Sequence, residues 1–184
     1  TDVAALPKAL EGVHAAVLCA RPDYWRWPQE LVPMFQRAID AASRTGTRLV
    51  LCDNLYAYGV PDGPLTESSP LRPHGPKGRA RKAGAELLMR AHEQGQVQVA
   101  IGRAADFYGP GIDYPNLKLL FGNAVEGKTV RLLGSGEALH SVSFIKDVGH
   151  ALVTLTENDS AFGDVWHLPV APPMPEKELV RRIV

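Results

Sequence analysis

Cysteine is nearly absent from this chain, with two residues in 184, Cys19 and Cys52, and neither belongs to a Cys-x-x-Cys pair. That excludes a disulfide framework and leaves a redox pair without its usual motif. Each cysteine closes an apolar run, as a small buried hydrophobe in a reducing compartment would, so the cytoplasm is the expected location. Net charge is absent too: 20 Lys and Arg balance 20 Asp and Glu. A balanced chain of this kind offers no field for nucleic acid or an anionic membrane. No apolar run approaches the roughly 18 residues of a membrane-crossing helix. The opening stretch TDVAALPKALEGVH lacks the basic segment and long apolar stretch of a secretion signal, and none is expected. The six histidines never fall at His-x-x-x-His spacing, and HEQGQ (92–96) lacks its second histidine, so no metal site is expected. A Gly-x-Ser-x-Gly elbow is missing as well, which removes the usual signal of a serine hydrolase.

What is present is a globular composition, 45% apolar and 22% charged, in a length that suits one domain or a piece of a larger one. Five apolar runs predict strands: AAVLCA (15–20), RLVLCD (48–53), VQVAIG (97–102), TVRLLG (129–134) and DVWHLP (164–169). The first three are nearly continuous, as in a parallel sheet covered on both faces. Between them run helical patterns. Gln29 to Thr45 carries Leu31, Met34, Phe35, Ala38 and Ala41; Arg79 to Gln94 carries Ala83, Leu87, Leu88 and Ala91. Asp147 is placed to cap a third helix holding Val148, Ala151, Leu152 and Leu155, and PEKELVRRIV reads as a fourth. Strand and helix in alternation predict an α/β, three-layer, Rossmann-like fold. The loops at 59–78, with five prolines, and at Tyr108 to Pro115 follow strands, where open α/β sheets bind ligands.

Gly122 to Thr129, GNAVEGKT, matches the phosphate-loop pattern. That loop works by following a strand and opening a helix, so that backbone N–H groups face the phosphates. Here LKLLF before it reads as helix and TVRLLG after it as strand, so the order is reversed. GSGEAL (134–139) lacks a third glycine and reads as a turn. The cluster Lys77, Arg79, Arg81 and Lys82 reads either as a solvated helix face or as charge near a ligand.

Taken in order, GVHAAVLCARP, TGTRLVLCDNLYAYG, a Pro-rich loop, Lys-x-x-x-Glu, VQVAIGRAADFYGPG, SFIKDVGHALV and GDVWHLP resemble the extended short-chain dehydrogenase/reductase superfamily, the NAD-dependent epimerases and dehydratases. The likeness covers about residues 10 to 184. It implies an NAD or NADP cofactor and a proton relay built from a serine or threonine and a Tyr-x-x-x-Lys pair. Lys82 stands in the lysine's place with Glu86 four residues on; Gly78 stands in the tyrosine's place and Asn54 in the serine's. An asparagine can hydrogen-bond a substrate oxygen, whereas a glycine cannot move a proton. Tyr56 is the candidate substitute acid/base, against the plainer reading of a loop aromatic. The resemblance places Cys19, Ala20, Arg21, Cys52, Lys82 and Ala104 along the cofactor, and Tyr108 and His140 towards the substrate. Arg103 beside Ala104 reads equally well as one half of a buried ion pair. His140 stands where nucleotide-sugar members often carry a diphosphate-gripping arginine, which argues against such a substrate.

The resemblance also implies an opening strand with a Gly-x-x-Gly-x-x-Gly fingerprint, and no such fingerprint occurs in these residues. This stretch by itself is expected to bind NAD(P) weakly or not at all; a micromolar Kd from NADPH fluorescence titration would overturn that. Residues 1–107 are expected to form the core of the dinucleotide-binding domain, and 108–184 a segment that contributes to a substrate lobe and returns to the core. The expected function is an atypical NAD(P)-dependent oxidoreductase or epimerase acting on a small or medium-sized hydroxyl or carbonyl substrate. The alternative is a non-catalytic NAD(P)-binding regulator or scaffold with a degenerate site. The resemblance also implies self-pairing through helices 29–45 and 79–94.

Overall fold

The computed structural model describes residues 5–112, 115–132 and 135–183. The chain divides into two compact units, the first running up to Ala104 and resuming at His150–Leu168, the second comprising Ala105–Gly149 and Pro169–Val184.

In the first unit a short helix, α1 (Ala5–Leu10), leads to β1 (Ala15–Leu18). A single 3-10 turn, Tyr24–Arg26, then runs into α2 (Trp27–Thr45). Trp27, Leu31, Phe35, Ala38, Ile39 and Ala42 recur at helical spacing and are buried, while Gln36, Arg37 and Asp40 face water. Gly46 ends the helix in the left-handed conformation, φ 70°, with its N–H on the Ala42 carbonyl. Then come β2 (Arg48–Asn54), α3 (Pro76–Glu93) and β3 (Val99–Ala104), the last buried along its whole length. The chain re-enters this unit within α5 (Ile145–Glu157) and adds β7 (Val165–His167). The strands form one parallel sheet in the order β1-β2-β3-β7.

Residues of β2 and β3 alternate between the two faces of that sheet. Leu49, Leu51, Val99 and Ile101 pack with Leu31, Phe35, Ile39 and Leu88 of α2 and α3. Gly102 faces the other way: a Cβ there would stand 2.8 Å from Leu168 and 3.2 Å from Leu152. Leu152 belongs to α5, so helices cover both faces and the layering is that of a Rossmann-like α/β sandwich. The α2–α3 contact is equally close, since a Cβ at Gly84 would lie 2.7 Å from the Phe35 ring.

The second unit is built from short pieces. β4 (Asp106–Tyr108) pairs in parallel with β6 (Val142–Phe144), and β5 (Leu139–His140) pairs antiparallel with β8 (Met174–Pro175). α4 (Pro115–Val125) packs against α6 (Glu176–Ile183).

Three expectations are corrected. TVRLLG is not a strand across its described residues, 129–132; Leu133 and Gly134 lie outside them. The chain leaves α4 through Gly127, φ 64°, and its backbone groups bond back to the helix end, Lys128 N–H to Asn123 O at 2.8 Å and Asn123 Nδ2 to Thr129 O at 3.5 Å. Asp147 lies inside the first turn of α5, which opens two residues earlier at Ile145. The basic cluster of α3 is not one solvated face, because Arg81 is buried while Arg79 is exposed. GNAVEGKT, as its context implied, spans a helix C-terminus, where carbonyls rather than N–H groups point outward. No helix among the described residues is long and apolar enough to cross a membrane.

Candidate functional site

The carboxyl ends of β1, β2 and β3 bring together most of the sequence candidates of the first unit. Cys19, Ala20 and Arg21 follow β1 and are exposed. Cys52 and Asn54 lie on β2, and Asn54 pairs in register with Ala104 of β3. By strand alternation Cys52, Asn54 and Ala104 share the sheet face opposite α2 and α3. Asn54 Oδ1 accepts the Tyr56 N–H at 3.1 Å, an Asx turn that bends the chain off the strand. Among the described residues its Nδ2 has no partner, so the side chain keeps two N–H donors and no free role as a base.

That turn sets Tyr56 over the start of α3. A Cβ added to Gly78 would stand 2.6 Å from the Tyr56 carbonyl oxygen and 2.9 Å from Pro73 Cβ. The position read as an emptied tyrosine is therefore filled, by loop backbone. The Tyr56 phenol itself stays close by. Its hydroxyl accepts from the Tyr24 hydroxyl at 3.0 Å, and its ring lies 6.0 Å from Trp27. Lys77 Nζ sits 3.6 Å from the centre of the Tyr24 ring, a cation held on a π face. Tyr24, Tyr56, Gly59, His74, Lys77 and Gly78 are among the residues lining an open cavity of about 410 Å³. Lys82, one helical turn beyond Gly78, donates to the Leu71 carbonyl at 3.3 Å and lies 3.8 Å from Glu86.

The same unit holds a buried ionic chain. Asp53 is fully buried, with Arg81 Nη1 at 3.2 Å and Arg103 Nε at 3.3 Å. Burial pushes its carboxyl up from the ordinary value, and the two guanidiniums oppose that push. Arg81 stacks on Trp27 at 4.1 Å and Arg103 on Tyr58 at 4.8 Å. Tyr58 in turn shares a 2.7 Å hydrogen bond with His167 at the end of β7. Burial, aided by Arg103, holds the His167 imidazole below its ordinary range against the pull of Glu67. The charge of Arg81 is thus committed inside the fold and not offered to a ligand, and Arg103 takes the ion-pair role of its two readings.

The Pro-rich loop is ordered by local chemistry. Arg72 N–H bonds Tyr58 O at 3.2 Å, closing the loop on its own base. Gly59, φ 80°, lies so close to the Arg72 carbonyl that a Cβ there would stand 2.0 Å away. Glu67 accepts the His167 N–H at 2.9 Å and ties the loop tip to β7.

The two substrate candidates lie in the second unit. Tyr108 stacks on Phe121 at 6.2 Å and packs against Phe144 at 5.3 Å. His140 Nε2 meets Asp106 Oδ2 at 2.9 Å, and that bond raises its affinity for a proton. Of the loop at Tyr108 to Pro115, Asp113 and Tyr114 lie outside the described residues. Sequence reasoning passed over Tyr24 and His74, since nothing in a linear pattern links Tyr24 to a hydroxyl 32 residues away.

Three comparisons bear on this arrangement. The model of the NAD dependent epimerase/dehydratase family matches residues 8–168. A dTDP-glucose 4,6-dehydratase of Streptomyces niveus is 28% identical over 153 residues, 81% of this chain and 45% of that protein. Among solved structures, the dTDP-glucose 4,6-dehydratase of Bacillus anthracis in complex with NAD superposes with a TM-score of 0.86 at 21% identity, over 99% of this chain and 60% of that one. The UDP-glucuronic acid 4-epimerase of Bacillus cereus, in complex with UDP-glucuronic acid and NAD, gives 0.82 at 19% identity, over 99% and 63%. At these identities the structural likeness is one of fold. The chain spans less than half the length of the curated dehydratase and about three fifths of the two solved chains.

Proposed function

The chain belongs to the NAD-dependent epimerase/dehydratase family, and on that premise we propose that it is the core of an NAD(P)-dependent oxidoreductase or epimerase whose substrate proton passes through Tyr56. The observation that carries this reading is the replacement at α3: the Tyr56 backbone takes the space above Gly78, and its hydroxyl sits beside Tyr24 in an open cavity.

The residues fit part of a dinucleotide. Cys19 and Ala20 are small and exposed at the end of β1, Ala104 puts only a methyl on the same edge, and Lys82 has ammonium protons beyond its bond to Leu71. These residues, with Arg21 and Cys52, would hold the nicotinamide half of NAD or NADP, which when bound supplies hydride transfer. The chain's own groups do the rest. Asn54 donates its amide N–H to the substrate oxygen and fixes its direction. Tyr56 gives that oxygen a proton or takes one from it. The Tyr24 hydroxyl donates to the Tyr56 hydroxyl oxygen, on which charge would develop as its proton leaves, and Lys77 Nζ lies over the Tyr24 ring. Lys82 grips a ribose hydroxyl.

The substrate is proposed to be a hydroxyl or carbonyl compound, with Tyr108 and His140 as its contacts in the second unit. His140 and Asp106 together carry no net charge once the imidazole is protonated, which suits a polar group better than a diphosphate. Self-association through α2 and α3 in the cytoplasm completes the proposal, and light scattering of the purified chain tests it.

Tyr56→Phe removes one hydroxyl and keeps the ring. Turnover is expected to fall by about 10²–10⁴-fold with cofactor affinity unchanged. Lys82→Ala should weaken cofactor binding as well as turnover. A Tyr56→Phe variant as active as the parent would refute the relay. Dinucleotide binding with no turnover of any hydroxyl or carbonyl substrate would make the chain a binding protein instead.

A further inference from the structure

The proposed relay leaves unused the sulfur chemistry of Cys19 and Cys52. Leu18 pairs with Leu51 in parallel register, and the residues that follow are Cys19, just past the end of β1, and Cys52 within β2; carried on by one residue, that register puts the two side by side with both side chains on one face. Adjacent strands run about 4.8 Å apart, inside the roughly 4.4–6.8 Å between Cα atoms that a disulfide spans. Both residues are free thiols; Cys19 is exposed and Cys52 half-buried, and each shifts the other's ionisation. The chain has no third cysteine to compete.

We propose that Cys19 and Cys52 form an oxidisable dithiol that closes to an internal disulfide when the protein meets a peroxide. The surroundings assign the roles. The hydrogen bond that Cys52 can offer holds the Cys19 thiol down to about 7 against the opposing effect of burial. The same bond, followed by burial and the neighbouring charges of Cys19 and Asp53, drives Cys52 upward. Cys19 is therefore the attacking sulfur and Cys52 the resolving one. In the first step the Cys19 thiolate attacks one peroxide oxygen, the O–O bond breaks, hydroxide leaves, and Cys19 becomes a sulfenic acid. In the second, Cys52 sulfur attacks Cys19 sulfur, the S–O bond breaks, and the departing hydroxide takes the Cys52 proton as water. The two sulfurs together lose two electrons, and the peroxide is reduced to water.

The bond would tie the exposed end of β1 to β2. Its formation needs no cofactor, so its test stands apart from that of the relay. The full chain is incubated with stoichiometric hydrogen peroxide, then denatured for thiol titration, intact mass and peptide mapping. The expected result is joint loss of both thiols, a mass lower by two hydrogens, and a linked Cys19–Cys52 peptide. Cys52→Ser should stop at a Cys19 sulfenic acid that dimedone traps, and in Cys19→Ser the remaining thiol should react at least about tenfold more slowly. Two persisting thiols, a disulfide-linked dimer in place of the internal bond, or Cys19 oxidised past the sulfenic acid with Cys52 still free would each overturn the proposal.

Discussion

Gly78 shows how a single residue is read differently with and without its surroundings. In the sequence it is a tyrosine position lacking its side chain; in the fold, the Tyr56 carbonyl and Pro73 occupy the room a side chain would need. Gly78→Ala is therefore expected to cost about 1–3 kcal/mol, since neither neighbour is the free end of a flexible chain. Gly75, three residues earlier at φ −111° with open space around it, is the internal control, and Gly75→Ala should change stability by less than about 0.5 kcal/mol. Urea denaturation followed by circular dichroism separates the two. His140 makes a second residue-level prediction. The Asp106 hydrogen bond raises its folded-state value above the ordinary 6.5, so the pair stabilises the fold fully below that pH and ceases to do so as pH rises through the folded value. An NMR titration should place the His140 midpoint above 6.5, and Asp106→Asn should lower it. The stability difference between parent and variant should shrink with rising pH and stay under about 1 kcal/mol, as befits an exposed pair. The identity of each of these side chains was legible in the sequence; what presses on it was not.

At the scale of elements, β2 is held by charge as well as by apolar packing. Asp53 bonds Arg81 of α3 and Arg103 of β3, joining three elements through one buried carboxylate. Asp53→Asn leaves two guanidiniums buried with their counter-charge removed, and a loss of about 3–5 kcal/mol is expected. Asp159→Asn, which breaks the surface pair with Arg48, should cost less than about 1 kcal/mol. The contrast between the two denaturation midpoints checks the claim. The four strands of the sheet and the helices α2 and α3 were readable beforehand because a buried strand is a continuous apolar run and a covering helix repeats every three to four residues. The ionic chain was not, because its partners lie 28 and 50 residues apart and no local pattern couples them. TVRLLG failed for the complementary reason. An apolar run becomes a strand only when a neighbour accepts its backbone bonds, and here the first carbonyl of the run, that of Thr129, turns back to Asn123 at the end of α4.

For the whole molecule, the two units differ in how their backbone is held. Among the described residues, the first has a four-stranded sheet with its inner strands buried, and the second has two ladders of two and three residue pairs. Amide hydrogen exchange should accordingly be slowest in β2 and β3, and faster by about 100-fold or more in β5 and β8. Equal protection across both units would show that they unfold as one body. The order in which the chain visits the two units also has a consequence for synthesis. It enters the second unit after Ala104, returns to the first at His150, and leaves again after Leu168. A ribosome emitting this chain must therefore complete 45 residues of the second unit before β7 and most of α5 exist to finish the first. Until then Gly102 awaits Leu152 and Leu168, the side chains that close against it. Neither unit can be released by cutting out one continuous stretch. A gene fragment ending at Ala104 would encode a sheet lacking its fourth strand and one of its covering layers, and a nascent chain paused there would offer that bare face to chaperones.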